Sequence, residues 1–572
     1  MVIPMKTIRA VKNYFLIIIS GLGFGLAMHL YLPNMGGMGL ALPQNILGWS
    51  MMALLSLMIW LGILFNQRKI ITTPTTKLFF VALMLLAVPL LYTRPEWREA
   101  ALWRWAGLFA GWVFYFSWLQ AELSPRARYW LLCTILLAVT AQAFMALAQL
   151  FGFGGWVPYP LIAGRPYGVF QQVNLLASFM ATGLALALTL FLLPGFNLRA
   201  RCHEKWRLGV LCLLLTVLPA LLVWLHSRIG WLSGGAVALL FIAAYAKKYP
   251  QRSGVAAFLM LLGLVTGMVV AWSGQVGAVS HAGSDSARGI MLNATLAMIA
   301  EKPLAGWGYG GFEYSFQHFR AALGESTLGV GVATHPHNEI LLWWVEGGGL
   351  GLIGMLLFLL AGLRLAGKAW RRYSQRADLP DRGVALALCF ALLPIALHTQ
   401  TEYPFYLSTL HWIIFLLLLA LLDRQAAVVH ERNALSGVGR RALVILAPIG
   451  SLIALIVMLV GLPGGLTLTR AEQSQFTDMH AAEAMPPAVR WLHAERWAFD
   501  QQVYALLLFN QTQDEKLLSA YALWANEYLK KHIDRNIYAT LYLILKHQGK
   551  DIPADNLRRE AIVFFPDDSR FK

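Results

Sequence analysis

The sequence predicts an all-α polytopic membrane protein with about 13 transmembrane helices, a long external loop and a helical C-terminal domain. Three observations predict it. Of 572 residues, 58% are hydrophobic and only 13% charged, with a mean hydropathy of +0.58. Apolar runs of roughly 20 residues, the length that spans a bilayer core, recur along the chain. The basic residues are also unevenly spread. Residues 464–572 carry 13 Lys and Arg against 14 Asp and Glu, which leaves 33 against 15 of the totals, 46 and 29, in residues 1–463. The net charge of +17 therefore belongs to the membrane part, where Lys and Arg mark cytoplasmic loops, and no nucleic-acid partner is expected.

Thirteen apolar runs fall at 14–32, 43–65, 77–92, 101–120, 129–151, 175–193, 208–226, 229–246, 254–272, 340–363, 384–398, 407–422 and 442–463. The first follows Lys6, Arg9 and Lys12 as a signal peptide's apolar core would, but it is long and lacks a small-x-small cleavage site, so it reads as an uncleaved helix. With the N-terminus inside, alternate loops carry Arg68-Lys69, Arg126 and Arg128, Arg199 to Arg207, Lys247 to Arg252, Arg364 to Arg382, and Arg424 to Arg441. All fall on one side, which is then cytoplasmic. Arg94, Arg98 and Arg104 break the pattern, partly offset by Glu96 and Glu99. The expected division is a transmembrane domain over 1–463 with an external loop at 273–339, and an external helical domain over 464–572. The cysteines at 133, 202, 212 and 389 have no metal-ligand spacing, and this topology puts them on or near the cytoplasmic side as free thiols.

Inside the long loop, Met291, Leu292, Thr295, Leu296, Met298 and Ile299 give helical periodicity over 286–301, and a second helix is expected over 312–323 after a Pro303 and Gly-rich break. The tail is helical from about Ala471, with acidic starts at Asp514-Glu515, Asp534 and Asp551. It resembles a small stack of helix pairs or, equally, a simple helical cap.

The unusual polar residues gather in the external segments. Gly306-Trp307-Gly308-Tyr309-Gly310-Gly311 matches G-x-G-x-x-G, yet no strand precedes it, so it reads as a turn that lets a backbone or ligand approach closely. His335-Pro336-His337-Asn338-Glu339 opens directly into an apolar helix. Two histidines two apart in extended backbone point to one side and could ligate a metal, but no second ligand cluster is evident. They could also be interfacial hydrogen-bonding residues, or His337 could act as a base or orienting donor near neutral pH. Arg165, Gln171, Gln172 and Asn174 lead into the sixth helix and offer hydrogen bonds suited to sugar or phosphate. His226-Ser227-Arg228 joins two helices with almost no loop. An arginine at that depth is costly unless paired or facing a polar cavity, and its fork of donors suits phosphate. Arg288 starts the loop helix and is either a second phosphate ligand or a solvated surface charge. Tyr403, in Glu402-Tyr403-Pro404-Phe405, is either a bilayer-interface anchor or a site residue.

Together the GRPYGVFQQVNLLASF stretch, the SRIGW turn, the Arg288-led segment with EKPLAGWGYGGF, the HPHNE helix start and the TEYPF turn resemble bacterial O-oligosaccharyltransferases of the PglL type. These are distantly related to the O-antigen ligase WaaL and the polymerase Wzy. The resemblance implies transfer of a preassembled glycan from undecaprenyl pyrophosphate to Ser or Thr hydroxyls of periplasmic proteins, often pilins, at the bacterial inner membrane, with the C-terminal domain in the periplasm. It carries the family's functional Gln onto Gln172, its His onto His337 and its Tyr onto Tyr403. Val173 stands where the family's F-x-Q-P-N segment has Pro. On this reading Arg228, Arg165 and Arg288 stabilise the departing pyrophosphate in place of a metal, Asn174 and Asn338 bind glycan or phosphate, and no cofactor is needed. With no carboxylate pair in an evident nucleophile role, single displacement with inversion is expected. The alternatives are an O-antigen ligase acting on lipid A-core, an O-antigen polymerase, and a transporter or flippase. The last would place its polar groups near the midplane between repeats, and neither feature is evident.

Overall fold

The computed structural model describes residues 5–152, 158–274, 276, 282–325, 327–375, 383–427 and 433–572. Among segments read from the sequence, residues 153–157 and 277–281 and the basic residues Arg376, Arg382 and Arg432 lie outside them. The described chain is helical: α1 (Met5–Gly25), α2 (Pro43–Asn66), α3 (Pro74–Ala87), α4 (Pro95–Leu119), α5 (Pro125–Leu150), α6 (Val173–Leu192), α7 (Arg201–Trp224), α8 (Arg228–Tyr245), α9 (Pro250–Trp272), α10 (Ala282–Glu301), α11 (Phe312–Ala322), α12 (Glu339–Ser374), α13 (Val384–His398), α14 (Pro404–Leu407), α15 (Thr409–Ala426), α16 (Gly437–Gln473), α17 (His480–Glu483), α18 (Pro487–Leu492), α19 (Ala494–Thr512), α20 (Glu515–Tyr528), α21 (Arg535–His547) and α22 (Asp551–Phe564). Two short strands, β1 (Ile71–Thr72) and β2 (Asn433–Ala434), pair antiparallel.

Each of the thirteen apolar runs overlaps a helix. Among the described residues ten helices are long and apolar enough to cross a membrane: α2, α3 with the turn that extends it to Leu91, α5 to α9, α12, α15 and α16. Two runs fall on shorter apolar helices, Asn13–His29 and α13. The run at 101–120 falls on α4, whose Trp, Tyr and Gly residues and Arg104 leave it less apolar than the ten. The chain is thus an all-α, multi-pass membrane protein.

The chain divides into two compact units. The first comprises Met1–Lys77, Gly111–Val279 and Leu360–Pro463. Its centre is α6, buried along its length and packed by α5, α7, α8, α9 and α13. On α9, Gly263 and Gly267 face the α7 backbone, where a Cβ would come within 2.0 Å of the Thr216 carbonyl and 3.0 Å of Ala220 Cα. This small-xxx-small spacing lets helices meet without side chains between them.

The second unit comprises Leu78–Ala110, Ser280–Leu359 and Gly464–Lys572. Asp514 and Asp534 cap α20 and α21 through their side chains, satisfying backbone N–H groups that a helix start leaves open. Leu518, Tyr521, Ile537, Leu541 and Phe564 form the core of α20 to α22, against which Tyr314 and Ala321 of α11 pack. The glycine loop docks on a break in α12 at Gly348 (φ 62, ψ −148). Trp307 N–H donates to the Val345 carbonyl, and Gly308 N–H to the Glu346 carbonyl, both at 2.9 Å. A Cβ on Gly306 would lie 2.3 Å from the Glu346 carbonyl oxygen. The loop's glycines therefore serve close backbone approach.

Candidate functional site

In the first unit a single carboxylate gathers several of the residues that the sequence points to. Glu402 is buried in the turn after α13. Gln172 Nε2 donates to its Oε2 and Asn174 Nδ2 to its Oε1, each at 2.6 Å. Gln172 is the N-cap of α6, with extended backbone. Asn174 in turn accepts from Ser227 Oγ at 2.7 Å, and Ser227 caps α8 by accepting from Gly230 N–H. Arg228 is the first residue of α8. The starts of α6 and α8 are thus tied together, and helix starts, with their unpaired N–H groups and positive dipole end, favour anions.

The segment before α6 is held from α5. Gln149 Oε1 accepts from the N–H groups of Tyr167 and Gly168 at 3.1 and 2.9 Å, and Gln142 Oε1 accepts from Val169 N–H at 3.0 Å. Arg165 closes a tight turn with Ile162 through two backbone hydrogen bonds, with Ala163 and Gly164 at positive φ, as a two-residue turn of this hand requires. Burial lowers the Arg165 pKa from its ordinary value, and its Nε is buried without a hydrogen bond among the described residues. The adjacent amides diverge: Gln171, at φ 54, donates to Asn34 Oδ1 at 2.9 Å, while Gln172 turns to Glu402. Tyr403, the N-cap of α14, has its phenol pKa raised by burial and by the Glu402 charge.

His337, Asn338 and Arg288 belong to the second unit. Arg288 is half-buried on α10. His337 is not extended: its φ is 56. Its N–H donates to His335 Nδ1 at 2.9 Å, and the two rings stand at 86° with centroids 6.4 Å apart. The extended pairing that would turn both rings to one side is therefore replaced by a turn in which His335 braces His337. His335 Nε2 lies 3.4 Å from Glu339 Oε2, and Glu339 Oε1 accepts from Trp343 Nε1 at 2.8 Å. Asn338 Oδ1 accepts from Leu341 N–H at 3.0 Å, capping the start of α12. Among the described residues no three His, Cys, Asp or Glu side chains are grouped to hold a metal ion.

Sequence reasoning treated Glu402 only as a neighbour of Tyr403 and missed His398, Ser178 and His411, which continue the buried polar cluster beneath it. The available signal was a Glu four residues after a His at the end of an apolar helix, the spacing that sets two side chains side by side.

Three family models match the chain: protein glycosylation ligase over residues 166–191, O-antigen ligase over 208–359, and the C-terminal part of a virulence factor membrane-bound polymerase over 384–572. The first covers Gln172 and Asn174, the second Arg228, Arg288 and His337, and the third His398, Glu402, Tyr403 and the helical tail. No curated protein matches the chain. The site motifs and these matches, each over less than half of the chain, agree in supporting a member of the PglL/WaaL-type O-antigen ligase superfamily of glycan-transferring membrane enzymes.

Proposed function

We propose that this protein is a protein O-oligosaccharyltransferase. It moves a preassembled glycan from undecaprenyl pyrophosphate to Ser or Thr hydroxyls of periplasmic proteins such as pilin, at the bacterial inner membrane. The observation that carries this reading is the amide pair Gln172 and Asn174. It lies in the segment matching the protein glycosylation ligase model and is linked through Ser227 to the Arg228 helix start. On this reading the chain crosses the membrane 13 times, with its N-terminus in the cytoplasm and residues 464–572 in the periplasm.

Pyrophosphate is a good leaving group, so the enzyme must chiefly neutralise its developing charge and activate a weak hydroxyl nucleophile. Arg228 at the α8 start, with Arg165 and Arg288, supplies charge-assisted hydrogen bonds for the first task. His337 orients or deprotonates the acceptor hydroxyl, a role worth about 10² to 10⁴ in rate. Gln172, Asn174, Asn338 and Tyr403 position glycan or phosphate. The hydroxyl oxygen attacks the anomeric carbon as the bond to the pyrophosphate oxygen breaks, with inversion, and the hydroxyl proton leaves to His337 or to the departing phosphate.

The test is expression of the wild type, His337→Ala and Arg228→Ala with a lipid-linked glycan and a pilin acceptor, read by mass spectrometry. Glycosylated pilin is expected only with the wild type, and unaffected by chelator. Retained glycosylation at normal protein level removes the substituted residue from the mechanism. The O-antigen ligase match over 208–359 favours one second reading, transfer to lipid A-core. A size shift in lipid A-core with pilin unmodified would select it.

A further inference from the structure

A buried hydrogen-bond chain leads from the start of α15 to Glu402. Ser408 Oγ lies 2.8 Å from His411 Nδ1. His411 Nε2 lies 3.0 Å from the Leu175 carbonyl and 3.4 Å from Ser178 Oγ. Ser178 Oγ lies 2.9 Å from His398 Nδ1, and His398 Nε2 lies 3.4 Å from Glu402 Oε2. Ser178, His398 and His411 are fully buried.

The direction of the chain follows from donor chemistry. A carbonyl only accepts, so His411 carries its proton on Nε2 and takes the Ser408 hydroxyl hydrogen on Nδ1. Ser178 then donates to His398 Nδ1, which puts the His398 proton on Nε2, facing Glu402. The other arrangement, with Ser178 donating to Leu175, would turn a bare nitrogen lone pair toward a carboxylate. Glu402 therefore accepts from His398, Gln172 and Asn174 among its partners.

An ionised carboxylate offers no hydrogen, so both amides must present their NH₂ groups to it and turn their oxygens away. The Asn174 oxygen is taken by Ser227. The Gln172 Oε1 is buried and accepts no hydrogen bond from the described residues. A buried acceptor without a donor is unfavourable, and a hydroxyl hydrogen brought by a substrate would satisfy it.

We infer that Glu402 is a positioning residue for glycan transfer: it locks the Gln172 amide so that Oε1 accepts a hydrogen bond from a substrate hydroxyl. The inference rests on the proposed transferase reading and adds to it the polarity of the Gln172 contact and the residue that sets it. The hydroxyl belongs to the glycan or to the acceptor side chain.

The experiment uses full-length protein in lipid nanodiscs with a lipid-linked glycan and a pilin acceptor, varying each in turn. In Glu402→Gln one carboxylate oxygen becomes an NH₂ group, so one amide must flip. We expect a 10- to 100-fold fall in kcat/KM for the substrate that carries the hydroxyl, with the thermal midpoint held within about 2 °C. The exchange Glu402→Gln with Gln172→Glu restores an outward acceptor oxygen at unchanged net charge, and should recover at least fivefold over Glu402→Gln alone. Wild-type kcat/KM for both substrates in Glu402→Gln, or no recovery in the exchange, overturns the inference. If Glu402→Gln is not recovered folded, Ser178→Ala removes the hydroxyl that sets the His398 tautomer. A several-fold loss of kcat/KM supports the inference and an unchanged value overturns it. A wild type that transfers no glycan to pilin overturns the proposed function instead.

Discussion

Replacing Glu346 by Ala should destabilise the second unit by about 3–4 kcal/mol. Glu346 has no exposed surface and lies in α12 just before the break at Gly348. Its Oε2 receives Arg104, whose side chain is 18% exposed, and its Oε1 accepts from Phe312 N–H at 3.1 Å. Breaking a buried ion pair from one side costs about 3–5 kcal/mol because the other charge is stranded. Arg104 keeps some access to water, which favours about 3, and the lost Phe312 hydrogen bond adds about 1. At about 2–4 °C per kcal/mol, the thermal midpoint in detergent should fall by roughly 6–16 °C. Glu346→Gln keeps an acceptor oxygen and should fall less. Arg104→Met with Glu346→Leu removes both charges and should return to within about 1 kcal/mol of wild type. A loss under about 1 kcal/mol in Glu346→Ala, or a double variant as unstable as the summed singles, refutes the reasoning.

The His532 imidazole gives a pH prediction. Burial lowers its pKa, but hydrogen bonds and charge from Glu313 and Glu495 outweigh this and raise it from 6.5 to about 9, while Glu495 is lowered. A raised folded-state pKa contributes stability that is full below pH 6.5 and is lost as the pH rises through about 9. With the ring 30% exposed, the effect should be about 1–2 kcal/mol after solvent screening. The unfolding midpoint should therefore drop between pH 6.5 and 9.5, and His532→Gln should flatten that drop; an equal drop in the variant would sink the assignment. Gly168→Ala adds a Cβ 2.1 Å from Gln142 Oε1 at φ +60, so it should loosen the segment leading to Gln172. About 2 kcal/mol of local strain should appear as a roughly tenfold or greater loss of glycan transfer, with protein yield near normal; full activity would show that the segment tolerates the shift.

What was legible in the sequence was whatever a short window records. An apolar run reports its own helix because burial in lipid needs only length and composition, and the caps at Asp514 and Asp534 sit beside the N–H groups they satisfy. Arg104 looked misplaced because its partner is 242 residues away. Gln172 and Asn174 could be recognised as hydrogen-bonding groups at a helix start, but the carboxylate that decides which end of each amide is offered lies 230 and 228 residues downstream. The His335 and His337 spacing suggested a shared face only on the assumption of extended backbone. His335 instead takes the His337 N–H and holds that residue at positive φ, a conformation non-glycine residues adopt uncommonly. In each case residue type announced the chemistry available, while its direction was fixed by the folded structure, through a distant partner for Arg104, Gln172 and Asn174 and through a local turn for His337. The orientation of the Gln172 amide is accordingly a property of Glu402 as much as of the glutamine itself.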